Sequence, residues 1–255
     1  MPLQNEATAK SFLSHFNQRI RFDPVSALNN GVDPKISPIE TCPAAHTTIG
    51  GVRIDVQCAT NLTGLYAAGS VAGGVYGFAR PEGYTSMITL VFGRRAGLFA
   101  AEHSSQSFTH PLPVGLVNQF VEMAHSVIDN ESGTDPDEVK SATRTTLNKF
   151  GWVIKDADGL EQGLDEIRRI RETHSTFKVT DGRQWSGAFE ATNMLATAEL
   201  LFLGSLERKE SRGAFFRDDY PNSDDTNWMR NIVYKQCRGK PVLTDHVPDL
   251  KFVSP

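Results

Sequence analysis

The chain has 255 residues, 39% of them hydrophobic, with 26 Lys and Arg against 30 Asp and Glu for a formal net charge of -4. That length supports one sizeable core or two modest ones, and the mixing of both signs along the sequence leaves no basic face for phosphate backbones, so nucleic acid is not an expected partner. The three cysteines, Cys42, Cys58 and Cys237, form no CxxC pair, which argues against a disulfide framework, a zinc site or an iron–sulfur site and fits a reducing, cytoplasmic compartment.

Met1 to Glu6 shows no charged region leading into an apolar run, and no segment reaches about 18 uninterrupted apolar residues, so neither a targeting signal nor direct membrane insertion is expected. Phe12, Phe16 and Ile20, with Leu13 beside them, predict an amphipathic helix over 6–22. Residues 29–43, rich in Asn, Gly, Asp and Pro, read as a connector, because proline removes a backbone donor and forbids a regular helix. Two short sheet strands are expected at 51–55 and 64–69, with turn material from Gln57 to Thr63 between them. A Gly-rich loop, 69–83, then leads into a helix over 85–102, where Met87, Ile88, Val91, Phe92, Gly93 and Ala96 suggest a close-packing small face.

After Pro111 and Pro113 the pattern becomes that of ordinary amphipathic helices, expected over 114–128, 136–150, 160–171 and 188–206. Asp135-Pro136-Asp137-Glu138 suits a helix start, since proline tolerates the first helical position and acids suit the positive end of the dipole. The stretch 231–242 reads as a hairpin around Arg238-Gly239-Lys240. Trp152, Trp185 and Trp228 are most simply core or interface aromatics.

Three blocks stand out in order. The first is Pro43-Ala44-Ala45-His46-Thr47-Thr48-Ile49-Gly50-Gly51-Val52. The second runs without a gap from Gly64 through Gly69-Ser70-Val71-Ala72-Gly73-Gly74-Val75-Tyr76-Gly77-Phe78-Ala79-Arg80 to Phe92-Gly93-Arg94-Arg95-Ala96-Gly97. The third is Glu207-Arg208-Lys209-Glu210-Ser211-Arg212-Gly213-Ala214, followed by Arg217, Asp219, Tyr220, Pro221, Asp225, Asn227 and Trp228. Together they resemble the C-terminal portion of the succinate dehydrogenase/fumarate reductase flavoprotein family. The resemblance implies an α/β plus α fold: part of an FAD-binding domain, with few strands, the Gly-rich loop and a long helix, then a helical bundle domain and a terminal β-hairpin. The implied boundaries are 1–43 for the tail of a capping domain and its connector, 44–108 for the C-terminal part of the FAD-binding domain, 109–228 for the helical domain and 229–255 for the last strands.

By resemblance the cofactor is FAD, and the reaction moves a hydride between flavin and a carboxylate or dicarboxylate substrate of the fumarate or succinate kind. Arg80 is then the substrate clamp, because a guanidinium offers a planar fork that pairs bidentately with a carboxylate. His46 would donate a second hydrogen bond to the same carboxylate; a lone histidine outside such a block is more often structural. Gly50 and Gly51 would let main chain approach the flavin without a Cβ in the way, as would Gly69. Ser70 stands where the family usually has a glutamate bonded to the ribityl chain. Thr85 and Ser86 open the helix after the loop, where free N–H groups would face the pyrimidine end of the ring; both residues are also favoured as plain N-caps. No metal ligands are expected. Arg94 and Arg95 read as solvated helix charges, and Glu210, Arg212, Arg217 and Asp219 as a structural ion-pair network.

Departures from the family pattern cluster near the expected substrate. Tyr76 replaces a histidine, Ala79 and Pro81 replace the Asn and Leu around Arg80, Tyr84 replaces an Asn, and Phe215 replaces a histidine of the helical domain. No strand leads into a GxGxxG loop with an acidic residue about 20 positions on, and the family's proton-donating arginine belongs to a capping domain upstream of His46. The resemblance therefore implies an enzyme completed by an N-terminal FAD-binding portion or partner chain; a further candidate partner is an electron-transfer subunit. The alternative reading is a non-catalytic remnant or assembly subunit of a flavoprotein complex. A third, within the enzyme class, is an amino-dicarboxylate oxidase or broader enoate reductase.

Overall fold

A computed structural model describes residues 47–78, 80, 83–106, 113–125, 130–237 and 240–246. The expected helix over 6–22, the connector at 29–43, His46, and the turn residues Arg238 and Gly239 lie outside the described residues.

The first described element is a strand of two residues, β1 (Val52–Arg53), which pairs in parallel with β2 (Ala72–Gly73). β1 ends before Asp55 because that carboxylate accepts the N–H groups of Gln57, at 2.8 Å, and Ala59, at 2.9 Å, closing a turn. The strand expected at 64–69 does not form. Positive φ at Gly64 and Gly69 bends the chain at both ends of that stretch, leaving a single bridge between Ala59 and Tyr66. The strand falls instead at Ala72–Gly73, inside the expected loop, where it meets β1 and a short 3-10 turn over Gly69–Val71 leads into it.

The long helix α1 (Tyr84–Gln106) follows the glycine loop. It buries Ile88 and Ala96, while Tyr84, Met87, Val91 and Leu98, at helical spacing on one side, and Leu90 beside them are exposed. The close-packing small face expected there is not packed: a Cβ added at Gly93 or Gly97 would meet nothing within 4 Å. α2 (Val114–His125) likewise leaves Leu116, Val117, Phe120 and Val121 exposed. The Trp185 indole N–H donates to the Ala124 carbonyl at its end, at 3.4 Å.

The remaining helices build the main core. α3 (Pro136–Phe150), α4 (Ala157–Thr173) and α5 (Gly182–Glu207) pack pairwise, interleaving Val139, Leu160, Leu164, Ile167, Ile170, Leu195 and Phe202. Each starts at an aspartate that accepts a first-turn N–H: Asp135 from Asp137 at 2.8 Å, Asp156 from Gly159 at 2.7 Å, and Asp181 from Gln184 at 2.7 Å. α4 and α5 therefore begin earlier than expected from their apolar positions. Gly163 of α4 lets α5 come close, since a Cβ there would stand 2.4 Å from the Phe202 ring.

Two further strands are short. β3 (Ile154–Lys155) and β4 (Phe216–Arg217) pair in parallel and tie the start of α4 to the segment after α5. A one-turn helix, α6 (Asp225–Trp228), precedes β5 (Asn231–Cys237) and β6 (Lys240–His246), which pair antiparallel. No helix among the described residues is long and apolar enough to cross a membrane.

Candidate functional site

The sequence assigns its chemistry to the segment between β1 and the first turns of α1, and the structure draws most of that segment together. β1 and β2 touch at backbone distance: a Cβ on Gly51 would stand 2.2 Å from the Val71 carbonyl oxygen and 2.9 Å from the Gly73 nitrogen. Gly51 is thus required by the parallel pairing itself, whereas Gly50, expected to face the flavin, opens onto free space. The 3-10 turn that carries Gly69 and Ser70 lies beside α1, with a Cβ on Gly69 only 3.7 Å from the Thr89 hydroxyl. Thr89 is one helical turn beyond Thr85 and Ser86, so the turn that carries Gly69 packs beside the first turns of α1. The N-terminal end of α1 has no acidic residue in its first turn, and its leading N–H groups lack intrahelical acceptors. It is an electropositive terminus suited to an electron-rich ligand edge.

Arg80 lies half-buried in the loop just ahead of α1, and no ion pair or hydrogen bond ties its guanidinium among the described residues. Tyr76, four residues before it, is 4% exposed, and its hydroxyl finds no hydrogen-bond partner among the described residues. A buried donor without an acceptor is costly, so an acceptor supplied to this hydroxyl would stabilise the loop. The loop has room to accept a ligand, because Gly74, Gly77 and Gly83 have nothing within 4 Å of where a Cβ would stand. An open glycine main chain, an orphaned hydroxyl and a free helix terminus fit one edge of a flavin and a carboxylate beside it. The orphaned hydroxyl is the part of this arrangement that only the structure reveals; the sequence signal was the tyrosine standing in a histidine's place.

The loop is braced from the far end of the sequence. The Ala214 N–H donates to the Phe78 carbonyl at 3.2 Å, and the Arg212 guanidinium lies over the Phe78 ring, 4.7 Å from its centroid. Arg212 in turn donates to both oxygens of Glu210, at 2.8 to 3.1 Å, and to Asp225 at 2.6 Å. Glu210 is fully buried and also accepts from Arg208 and from the Asp224 N–H. Burial alone would raise its pKa; the hydrogen bonds from Arg212, Asp224 and Arg208 outweigh that and hold it below the ordinary glutamate value. Arg217 and Asp219, expected in the same network, form a separate pair, with Arg217 also donating to the Ser205 carbonyl that ends α5.

A cleft of about 620 Å³ elsewhere, bounded by Leu203, Leu206, Tyr220, Tyr234 and Leu243 among others, contains none of the predicted site residues. It lies between helices and the terminal strands, apart from the chemistry.

Comparison with known proteins gives the chain a family. A model described as the C-terminal part of the fumarate reductase flavoprotein matches residues 141–252, and one described as an FAD-binding domain matches residues 6–86. A CoM/CoB fumarate reductase chain of Methanothermobacter marburgensis is 32% identical over 210 residues, covering 81% of this chain and 38% of that protein. The L-aspartate oxidase of Streptomyces coelicolor is 30% identical over 217 residues, covering 81% of this chain and 36% of that protein. Among solved structures, the Sdh1 complex of Mycobacterium smegmatis in its apo form superposes with a TM-score of 0.79 at 28% identity, over 87% of this chain and 39% of that one. The FrdA chain of an E. coli quinol fumarate reductase variant gives a TM-score of 0.84 at 22% identity, over 91% of this chain and 41% of that one, a likeness that speaks for the fold. The chain therefore spans about two fifths of the length of the relatives it matches.

Proposed function

From a chain that belongs to the succinate dehydrogenase/fumarate reductase flavoprotein family, we propose the carboxylate-clamping and helical portion of an FAD-dependent oxidoreductase, completed by an N-terminal FAD-binding portion that is joined to it or assembled with it. The substrate is a carboxylate or dicarboxylate of the fumarate or succinate kind. The observation that supports this reading is the packing of the Gly69 turn against Thr89 in the first turns of α1, the helix that follows the loop holding Arg80.

FAD is the cofactor of the matched domain, and when bound it supplies the centre that gives or takes the hydride. The chain's own residues do the rest. Arg80 presents two parallel N–H donors to a substrate carboxylate and fixes its plane. His46 donates a second hydrogen bond to that carboxylate. The first-turn N–H groups of α1, with the Thr85 and Ser86 hydroxyls, stabilise negative charge at the ring edge they face, and the Ser70 hydroxyl bonds the ribityl chain. Gly50 leaves main chain open to close approach. The exposed stripe of Tyr84, Met87, Val91 and Leu98 on α1 supports the need for a further portion, because a contiguous exposed apolar patch marks a surface that packs against another element. A further proposed partner is an electron-transfer subunit.

Purification of the chain alone and with candidate FAD-binding polypeptides, followed by flavin absorbance, tests the assembly. A colourless product in every combination sinks it. In a coloured assembly, Arg80→Lys should abolish most dicarboxylate turnover while flavin is retained; full turnover would favour a scaffolding role for this chain. The likeness to an L-aspartate oxidase, together with Tyr76 and Phe215 in place of the family's histidines, favours a second reading in which the acid carries an amino group. A panel of fumarate, succinate and aspartate separates the two.

A further inference from the structure

Three consecutive residues of one turn hold Phe78 on three sides. The Ala214 N–H takes its carbonyl, a Cβ on Gly213 would stand 2.1 Å from that same oxygen and 2.9 Å from the Phe78 Cβ, and the Arg212 guanidinium covers its ring. Gly213 adopts φ +58 to make this approach, a conformation a side chain disfavours. The contact is between segments 135 positions apart in sequence, and Glu210, fully buried, anchors the arginine side of it.

The glycine loop turns through positive φ at Gly74, Gly77 and Gly83, positions where no side chain restricts the backbone. Phe78, two residues before Arg80, is the one position of the loop at which another segment grips main chain, Cβ and ring together among the described contacts. We propose that Arg212 and Gly213, braced by Glu210, are positioning residues for Arg80: they immobilise the loop at Phe78 and so set the direction in which the guanidinium meets a carboxylate. This rests on the reading of Arg80 as the substrate clamp.

The test has two arms. In the full chain without flavin, hydrogen exchange at the amides of Tyr76, Gly77 and Phe78 is compared among the parent, Gly213→Ala and Phe78→Leu, with amides of α4 and α5 as internal reference. Loop exchange should rise at least tenfold in both variants while the reference amides stay unchanged. In the flavin-loaded assembly, fumarate dissociation constants are measured for the same variants with Arg80 and with Arg80→Lys. Each variant should weaken fumarate at least tenfold when Arg80 is present and add nothing further when Lys is present, the non-additivity of residues acting through one group. Unchanged loop exchange in Phe78→Leu, which folds without the added Cβ, overturns the proposal. Equal losses in both backgrounds also overturn it, since they mark a general structural effect. If Arg80→Lys loses fumarate but the other variants keep it, the clamp stands and the positioning role falls. If Arg80→Lys binds fumarate as the parent does, the clamp reading itself has failed and this inference with it.

Discussion

Replacing Glu210 by Gln keeps the shape of a fully buried side chain and removes its charge. The carboxylate accepts from Arg208, from two nitrogens of Arg212 and from the Asp224 N–H. Whichever oxygen becomes the amide nitrogen, donors then face a donor: either Arg208 and the Arg212 Nε, or the Arg212 Nη2 and the Asp224 N–H. The two arginine side chains are each only 13% exposed, so water replaces the lost acceptor poorly. Removing one member of such a pair costs about 3–5 kcal/mol, and the retained amide oxygen places Glu210→Gln near the lower bound. For a helical unit of roughly 100 residues this lowers the melting temperature by roughly 12 to 24 °C. Urea unfolding followed by tryptophan fluorescence reports it directly, because the Trp228 ring lies 5.5 Å from the Arg208 guanidinium. The pH dependence has a definite sign. Glu210 titrates below its unfolded value, so its contribution is present above about pH 4.3 and is lost as pH falls through the folded pKa. The gap between the parent and Glu210→Gln curves should narrow as pH falls below about 4.3. A loss under about 1 kcal/mol at pH 7, on the scale of an exposed pair, or a difference as large at pH 3 as at pH 7, refutes the reasoning.

Gly163→Ala drives a methyl to 2.4 Å from the Phe202 ring and 2.8 Å from the Phe150 Cβ; overpacking of about 1–3 kcal/mol should outweigh the roughly 1 kcal/mol helix-propensity gain, and Phe202→Leu should recover part of the loss in a double-mutant cycle. Tyr76→Phe removes a buried hydroxyl that lacks a partner, so the chain alone should melt higher, by the equivalent of about 1 kcal/mol, while dicarboxylate binding by the flavin-loaded assembly weakens. Lys155 has its pKa lowered to about 8 by burial and then by the neighbouring Arg217 charge; the unfolded lysine keeps its proton to a higher pH, so stability rises from pH 8 to above 10. Lys155→Met should therefore stabilise the chain at pH 7 and lose that advantage above pH 10 in urea titrations.

The helices were legible because their apolar positions repeat at helical spacing over many residues, and α3 begins where Asp135-Pro136 places it. α4 and α5 start earlier than their first apolar residues because Asp156 and Asp181 cap them, a signal present in the sequence as an aspartate ahead of a polar first turn. β3 and β4 were not legible, since two residues have no period and each strand exists only through its partner. The stretch at 64–69 looked like a strand by composition, but no neighbour among the described residues extends a ladder along it, and glycine dihedrals bend its ends. At the site, Arg80, Gly69, Ser70, Thr85 and Ser86 were named from their block. The hold of Gly213 on Phe78 had no local signature, because contacts across 135 positions arise only when the chain is folded.

The uncovered side of α1 has a thermal consequence. Any polypeptide that comes to rest on Tyr84, Met87, Val91 and Leu98 removes apolar area from water, and such association carries a negative heat-capacity change and loosens on chilling. A contact made on that face would thus be tighter in a warm solution than in an ice bath.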